Sequence, residues 1–346
     1  MELCLNDDAR FTRWATQSGH LREPLVVLDV GVQGGAHPRW DVLGEHLVLH
    51  GFDAIREVVD GLAAGNRGRP GRQFHWTALG DEDGEAEFFL NAADPFSSSL
   101  YRQGGGAAAT EVRRVPVRRL DSLVAEGTVP RPDFIKLDVE GYEKRVLLGA
   151  RDVLARGVVG VEAESSFGVS PEYPESHFCA LQAILLEYGL LVHDLGFNRV
   201  PRAAFQRALA RAGRKPVRDQ RSVGKPSTLN VALLRDAVQE REHPESYRRL
   251  PPVLGVEPLL KLLLLLELYG LNDIALDTAE RFRDALGTRI DVDRAVSLLA
   301  DPRCRSAWER GELAKGIVRQ FEQATGLPIG GPLRKFRRGR ARSPRT

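Results

Sequence analysis

The 346-residue chain reads as an α/β protein, a doubly wound sheet followed by a helical region. Three observations predict this. Apolar runs of strand length alternate with stretches of helical periodicity from Leu25 to Leu234, the pattern of a largely parallel sheet wrapped by helices. Phe134-Ile-Lys-Leu137 is an apolar run broken by one lysine, preceded by the turn signal Pro130-Arg-Pro-Asp133, and it delivers Asp138, Glu140 and Gly141 into a helical stretch. A strand without clean alternation is buried on both faces. Beyond about Ala237 the periodicity is helical only.

Taken in order, residues 1–24 are polar and read as a short helix or arm. Leu25–Val30 is a continuous apolar strand, Gly31–Gly35 a turn, and Pro38–Leu47 a modest helix. Val48–Asp53 is a second strand, Ile55–Ala64 a helix, and Gln73–Leu79 a third strand. Asp81–Gly84 is a turn, and Glu85–Leu90 alternates as an exposed strand does. Val112–Val117 pairs with it as an edge, since Pro116 lacks the N–H a central ladder needs. After Phe134–Leu137 and the helix Lys144–Ala150 come a strand at Gly157–Glu162, a helix from Tyr173 to Tyr188, and strands at Leu190–Leu195 and Leu229–Leu234. That makes seven strands besides the edge pair. Helices follow at Pro258–Tyr269, Asp273–Ala285, Val292–Leu299 and Ala307–Ala324. The expected organisation is an arm (1–24), an α/β domain (25–236), a separate or packed-on helical extension (237–332) and a basic disordered tail (333–346).

Composition narrows the class. Hydrophobic residues make up 42% and charged residues 28%, ordinary for a globular protein. A formal net charge of +2 dictates neither a nucleic-acid nor a membrane partner. The cysteines (Cys4, Cys179, Cys304) have neither metal spacing nor a disulfide framework, which fits a reducing cytosol. The longest apolar stretch, Leu259–Leu268, holds Lys261 and Glu267 and is far short of the ~20 residues of a membrane span. It is apolar nearly all round, so it is expected to be buried.

Asp29-x-Gly31-x-x-x-Gly35 sits at a strand-to-helix turn, where glycines let the backbone approach a ligand and expose amide donors. Asp53, at the end of the next strand, suits a ribose diol, which needs a carboxylate to accept two hydroxyl hydrogens. The pattern is neither G-x-G-x-x-G nor a P-loop, so a dinucleotide or nucleoside phosphate is disfavoured. A nucleoside without phosphate remains, and S-adenosylmethionine is the commonest such cofactor.

Leu28-Asp-Val-Gly-Val-Gln-Gly-Gly35, Gly51-Phe-Asp-Ala54, Ala78-Leu-Gly-Asp-Glu-Asp-Gly-Glu-Ala86, Ser97-Ser-Ser-Leu100, Arg119-Leu-Asp-Ser-Leu123 and Phe134-Ile-Lys-Leu-Asp-Val-Glu-Gly-Tyr-Glu143 follow one another as in FkbM-type methyltransferases. The resemblance spans about residues 25–235, and its specific part is Ile-Lys-Leu-Asp-Val-Glu-Gly. It implies a class I methyltransferase fold, a Rossmann-like sheet whose last strand is antiparallel. It also implies S-adenosylmethionine as cofactor and O-methylation of a sugar, glycan or secondary metabolite. By position, Asp29, Gly31, Gln33 and Gly35 fall in the cofactor loop and Asp53 is the ribose acid. Ala78 and Leu79 flank the adenine, and Asp138 lies by the methionine end. The chain departs from the family's usual residues at Val32-Gln33-Gly34 and at Asp53-Ala54.

Methyl transfer from a sulfonium is an in-line displacement, so the protein supplies positioning and, for a hydroxyl acceptor, a base. Asp138, Glu140, Glu164, His37 and His177 lie where loops leave the strand C-termini and are the candidates. Alternatively, Asp138 holds the cofactor's ammonium or caps the Gly141 turn, and Glu140 caps the following helix. Of Glu162 and Glu164, one is expected to face the cleft. Asp138 with Glu164 offers oxygens to Mg²⁺, but no ligand set is spelled out and no metal is expected. Ser97–Ser99 contact substrate hydroxyls or make a polar loop.

The connection Gly196–Thr228 carries Arg199, Arg202, Arg207, Arg211, Arg214, Lys215, Arg218, Arg221 and Lys225 against Asp219 alone. It reads either as a basic lid for an acidic or phosphorylated acceptor or as a solvated helical face. The C-terminal helices cover the sheet, form a homo-oligomer contact or bind another protein. The sequence reading is therefore a methyltransferase acting on a small molecule or glycan. Nucleic-acid methylation is one alternative, disfavoured by the charge and by the lack of a base-flipping motif. A degenerate nucleoside fold serving as a scaffold is the other.

Overall fold

The structure, a computed structural model, describes residues 3, 5–6, 8–69, 71–102, 110–168, 175, 177–214, 224–247 and 255–300. The helix expected at 307–324, the basic tail, Cys4, Cys304, Tyr173, Lys215, Arg218, Asp219 and Arg221 lie outside the described residues. In chain order the elements are α1 (Arg10–Gln17), β1 (Leu25–Val30), a 3₁₀ segment (Pro38–His46), β2 (Leu47–Asp53), α2 (Arg56–Gly65), β3 (Arg72–Trp76), β4 (Ala78–Leu79), β5 (Gly84–Asn91) and β6 (Thr110–Arg118). There follow α3 (Leu120–Ala125), β7 (Phe134–Leu137), α4 (Glu143–Leu148), α5 (Arg151–Ala155), β8 (Gly160–Ser166), α6 (Phe178–Leu186), β9 (Leu190–Val200), α7 (Ala203–Arg211) and β10 (Lys225–Arg235). The last are α8 (Ala237–Glu242), α9 (Pro244–Tyr247), α10 (Val256–Leu268), α11 (Asn272–Arg281), α12 (Arg283–Leu286) and α13 (Val292–Leu299).

Seven strands form the main sheet in the order β3-β2-β1-β7-β8-β10-β9. β1, β2, β3, β7 and β8 pair in parallel, and β10 is antiparallel to both its neighbours. This is the expected doubly wound sheet with a reversed last strand. The chain winds outward from β1 to β3 and then returns to β7, so the tips of β1 and β7 are neighbours at the topological switch point. Ligands bind at such a point in open α/β sheets.

Three local differences from the sequence reading have physical causes. The third strand breaks at Thr77, whose N–H donates to Asp53 O and whose hydroxyl donates to Pro116 O. The chain thereby passes from β3 into β4, which belongs to a second sheet ordered β4-β6-β5. β6 is thus a middle strand, not an edge. Pro116 is tolerated because β4 pairs only with Val117 and Arg118. The strand expected at Gly157–Glu162 begins instead at Gly160, because Gly157 takes a left-handed turn (φ 96°). It continues through polar residues to Ser166, since β10 pairs with it throughout (Asn230 with Glu164, Thr228 with Ser166).

Alternate residues of the sheet feed two cores. Leu28, Val30, Ile135, Leu137, Val161 and Leu233 face one core, with Val146, Leu147, Val153 and Leu181 from α4–α6. Leu25, Val27, Leu47, Leu49, Phe134 and Leu234 face the other, with Trp40 and the helices α1, α10, α11 and α13. Leu259–Leu268 is buried throughout, so α10 is packed onto the sheet. The two charged residues of the Leu259–Leu268 stretch are paired. Lys261 Nζ lies 2.9 Å from Asp133 Oδ2, the same oxygen that accepts from Val26 N (2.8 Å). Glu267 accepts from Phe11 N, Thr12 N and Thr12 Oγ1 at 2.7–2.8 Å. The N-cap residue of α1, Ala9, makes no side-chain cap. A carboxylate from α10, 255 residues away from Thr12, therefore satisfies the free amides of α1.

Glu267→Ala should lower unfolding free energy by about 3 kcal/mol, because buried amide donors lose their acceptor. Denaturant titration measures this, and a change within error would show that α1 does not depend on α10.

Candidate active site

β1 opens into the glycine turn at the switch point. Gly31 N and Val32 N both donate to Phe52 O (2.9 and 3.2 Å), tying the turn to β2. Gly31 has φ 86°, and a Cβ there would lie 1.8 Å from Asp138 O. Only glycine lets the tips of β1 and β7 come this close. Asp138 N donates to Val30 O (2.9 Å), which seals the approach. At the end of β2, Asp53 Oδ1 accepts from Ile55 N (2.8 Å), and burial pushes its pKa up to about 6.

Three carboxylates converge beyond β7 and β8: oxygens of Asp138, Glu140 and Glu164 lie within 4.8 Å of one another. Glu140 is held left-handed (φ 52°), a conformation uncommon outside glycine and seen at ligand sites. The turn is secured by Glu143, whose Oε1 accepts from Val139 N and Gly141 N, both at 3.1 Å. Burial, then the Asp138 charge, raises Glu140 to about 7. Burial and Asp138 raise Glu164 further, so that it is held protonated against the Asp138 carboxylate. The spacing is within reach of a cation, as in many acidic clusters that hold none.

A buried charge network lies behind these groups. Lys136, in mid-β7, places Nζ 3.0 Å from Asp138 Oδ2 and 3.5 Å from Asp29 Oδ1. Burial opposes its charge, but Asp29, Asp138 and Glu162 outweigh burial and keep its pKa raised. Asp29 is wholly buried; desolvation raises its pKa and Lys136 counters that. Glu162 accepts from Arg39 Nη2 (2.6 Å) and from Tyr269 OH (2.5 Å). The Arg39 guanidinium stands 5.0 and 4.9 Å from the ring centres of Trp40 and Tyr269.

A cavity of about 390 Å³ joins the glycine turn to the carboxylates, within the ~300–1,000 Å³ of small-molecule sites. Gly31, Gln33, Gly35, Asp53, Ala78, Leu79, Asp138, Glu140 and Glu164 line it, as do Ser98 and Ser99. Asp29 does not; it acts from behind through Lys136. His37 and His177 are not brought in. His37 Nδ1 accepts from Arg39 N at the start of the 3₁₀ segment, and His177 Nδ1 accepts from Ala180 N at the start of α6. Glu162 and Glu164 point to the same face of β8, as a strand's period of two requires. Depth separates them, Glu162 lying under Tyr269 and Glu164 in the cavity.

Sequence reading assigned no role to Lys136, Phe88, Phe96 or Tyr142, all of which line the cavity. A lysine inside an otherwise apolar strand was the available signal for Lys136. The aromatics sit in the small sheet, its loop and the β7 turn, with no periodicity that marks them.

Lys136→Met should destabilise the fold by about 3–5 kcal/mol, because it leaves Asp29 as an uncompensated buried charge. Adding Asp29→Asn should recover part of the loss. Thermal melting of the single and double variants checks this, and strict additivity of the two changes would refute the pairing.

Residues 39–189 match the family model described as the methyltransferase FkbM domain. Solved structures similar to the chain include methyltransferase FkbM from Methylobacillus flagellatus KT, at 16% identity over 64% of this chain and TM-score 0.36. This chain spans only 47% of that protein's length. N-methyltransferase NodS from Bradyrhizobium japonicum WM9 is 13% identical over 66% of this chain and 98% of its own, with TM-score 0.31. Aeropyrum pernix fibrillarin, in complex with natively bound S-adenosyl-L-methionine, is 13% identical over 65% of this chain and 76% of its own, with TM-score 0.33. No curated protein sequence matched the chain. The matched segment, 39–189, holds Asp53, the small sheet and the carboxylate turn.

Proposed function

We propose that the chain binds S-adenosylmethionine and methylates a hydroxyl of a sugar, glycan or secondary metabolite. The observation that supports this is one cavity joining Gly31–Gly35 and Asp53 to the carboxylates of Asp138, Glu140 and Glu164. The residues fit the cofactor. The bare Gly31 turn leaves room for backbone approach. Asp53, fixed by Ile55 N, offers the ribose an acceptor. Ala78 and Leu79, with Phe88 beside them, make an apolar slot for adenine. Asp138, neutralised on one side by Lys136, can take the ammonium of the methionine end. When bound, the cofactor supplies a methyl group already activated on sulfur.

The protein's share is orientation and one proton. Glu140 is the base in this reading, because its pKa near 7 suits a group that must be ionised yet proton-hungry at neutral pH. Glu164, kept protonated, donates to Asp138 and holds it in place. Ser98 and Ser99 on the opposite wall can bind acceptor hydroxyls.

Calorimetry should show S-adenosylmethionine binding, weakened by about 10–100-fold in Asp53→Ala, the loss of one or two charge-assisted hydrogen bonds. A chain that binds no cofactor would instead be a scaffold. Labelled methyl transfer to a panel of glycans and lipid-linked sugars tests the reaction. Glu140→Gln should cut kcat by about 10²–10⁴ with cofactor affinity kept. A base works deprotonated, so wild-type kcat should rise with pH through about 7 and the variant's profile should lose that limb. An unchanged profile would assign the proton elsewhere.

A further inference from the structure

β9, α7 and β10 form an arm beside the cavity. β9 is parallel to β8, so its end at Val200 lies on the same sheet edge as Asp138 and Glu164. β9 and β10 pair as far as Val200 with Lys225, beyond the last β8–β10 partners, Ser166 and Thr228. The ribbon therefore projects past the sheet edge. At its root is Phe167, three residues after Glu164, roughly 10 Å along a strand. It packs edge-on against Phe178 and Phe197, with centroids 6.0 and 5.9 Å away.

This cluster does not bury itself. Phe167, Leu195, Phe197, Val200 and Phe205 are 36–53% exposed, and they are five of the nine exposed large hydrophobics among the described residues. Exposed apolar side chains scattered singly are ordinary; five concentrated on one ribbon, its root and its helix point to a contact surface. α7 repeats the pattern. Phe205, Ala208 and Leu209 fall on one side by helical spacing, Arg207 and Arg211 on the other, and no residue of the helix is buried. Arg199, stacked on Phe197 at 5.2 Å, and Arg202 add to the cations. No acid occurs in 195–214 or 224–235.

We infer that this arm is a docking surface for an anionic lipid bilayer, which presents the cavity to acceptors held in that membrane. An exposed apolar face bordered by arginines is the chemistry of an interfacial helix, and anionic headgroups attract the cations. A soluble phosphorylated acceptor or a nucleic acid would engage the arginines but leave the aromatics in water. A second copy of the arm would set like charges against each other. The inference rests on the proposed methyl transfer only for what the membrane delivers.

Co-sedimentation of the full chain with phosphatidylcholine vesicles, with and without phosphatidylglycerol, tests it. Binding is expected to the anionic vesicles alone and to weaken as salt is raised. Arg207→Glu with Arg211→Glu should lower it by about tenfold, and Phe205→Ser should also lower it. Calorimetry with S-adenosylmethionine on the same variants reports that the fold is intact. Failure to bind anionic vesicles, or undiminished binding by either variant, overturns the inference; undiminished binding by the arginine variant would make the basic segment 333–346 the anchor. Binding to soluble heparin without binding to vesicles also overturns it. Vesicle binding by a chain that takes no cofactor would sink the enzyme reading and leave the docking surface standing.

Discussion

Two strand tips meet at the switch point with no side chain between them. The Gly31 backbone rests against the Asp138 carbonyl, and Val30 O accepts from Asp138 N. Such contact brings two backbone turns and their acids into one small volume. It would be electrostatically unstable without Lys136, which stands between Asp29 and Asp138. One buried cation thus sets the positions of an acid behind the cavity and an acid inside it. The Asp138 carboxylate against which Glu164 keeps its proton is held by that placement.

The C-terminal helices belong to this arrangement. Tyr269, just past α10, donates to Glu162 and forms one side of the aromatic slot around Arg39. Lys261 neutralises Asp133 immediately before β7, and Glu267 caps α1. A helix that is apolar all round still carries two charges inward, each with a partner, because an unpaired buried charge would cost more than the helix gains from burial. The buried charge network behind the site is therefore completed by a part of the chain beyond residues 39–189.

The cavity's electrostatics are one-sided. Among the described lining residues Asp138, Glu140 and Glu164 face one cation, Lys136, and burial with their mutual repulsion keeps Glu164 protonated and raises Glu140 to about 7. A site in that state favours an incoming cationic group, the property a sulfonium and an ammonium would meet. It stands apart from the arm, whose arginines would meet anions on the outer surface.

Much of this was legible beforehand. Seven strands, the reversed last strand implied by family resemblance, and the lining positions Gly31, Asp53, Asp138, Glu140 and Glu164 could be read because apolar period, glycine placement and strand-end acids are local signals. The break at Thr77, the central position of β6 and the extended β9–β10 ribbon were not legible, because each depends on which distant strand supplies the hydrogen bonds. His37 and His177 looked like bases by position and are turn and helix caps, a choice made by nearby backbone amides. The sequence by itself determined where the strands fall along the chain and which residues stand at their tips, since local residue pattern governs both. Tertiary structure alone decided that Lys136 pairs with Asp29, that Tyr269 covers Glu162 and that the arm's aromatics stay exposed, since those depend on contacts between segments remote in the chain.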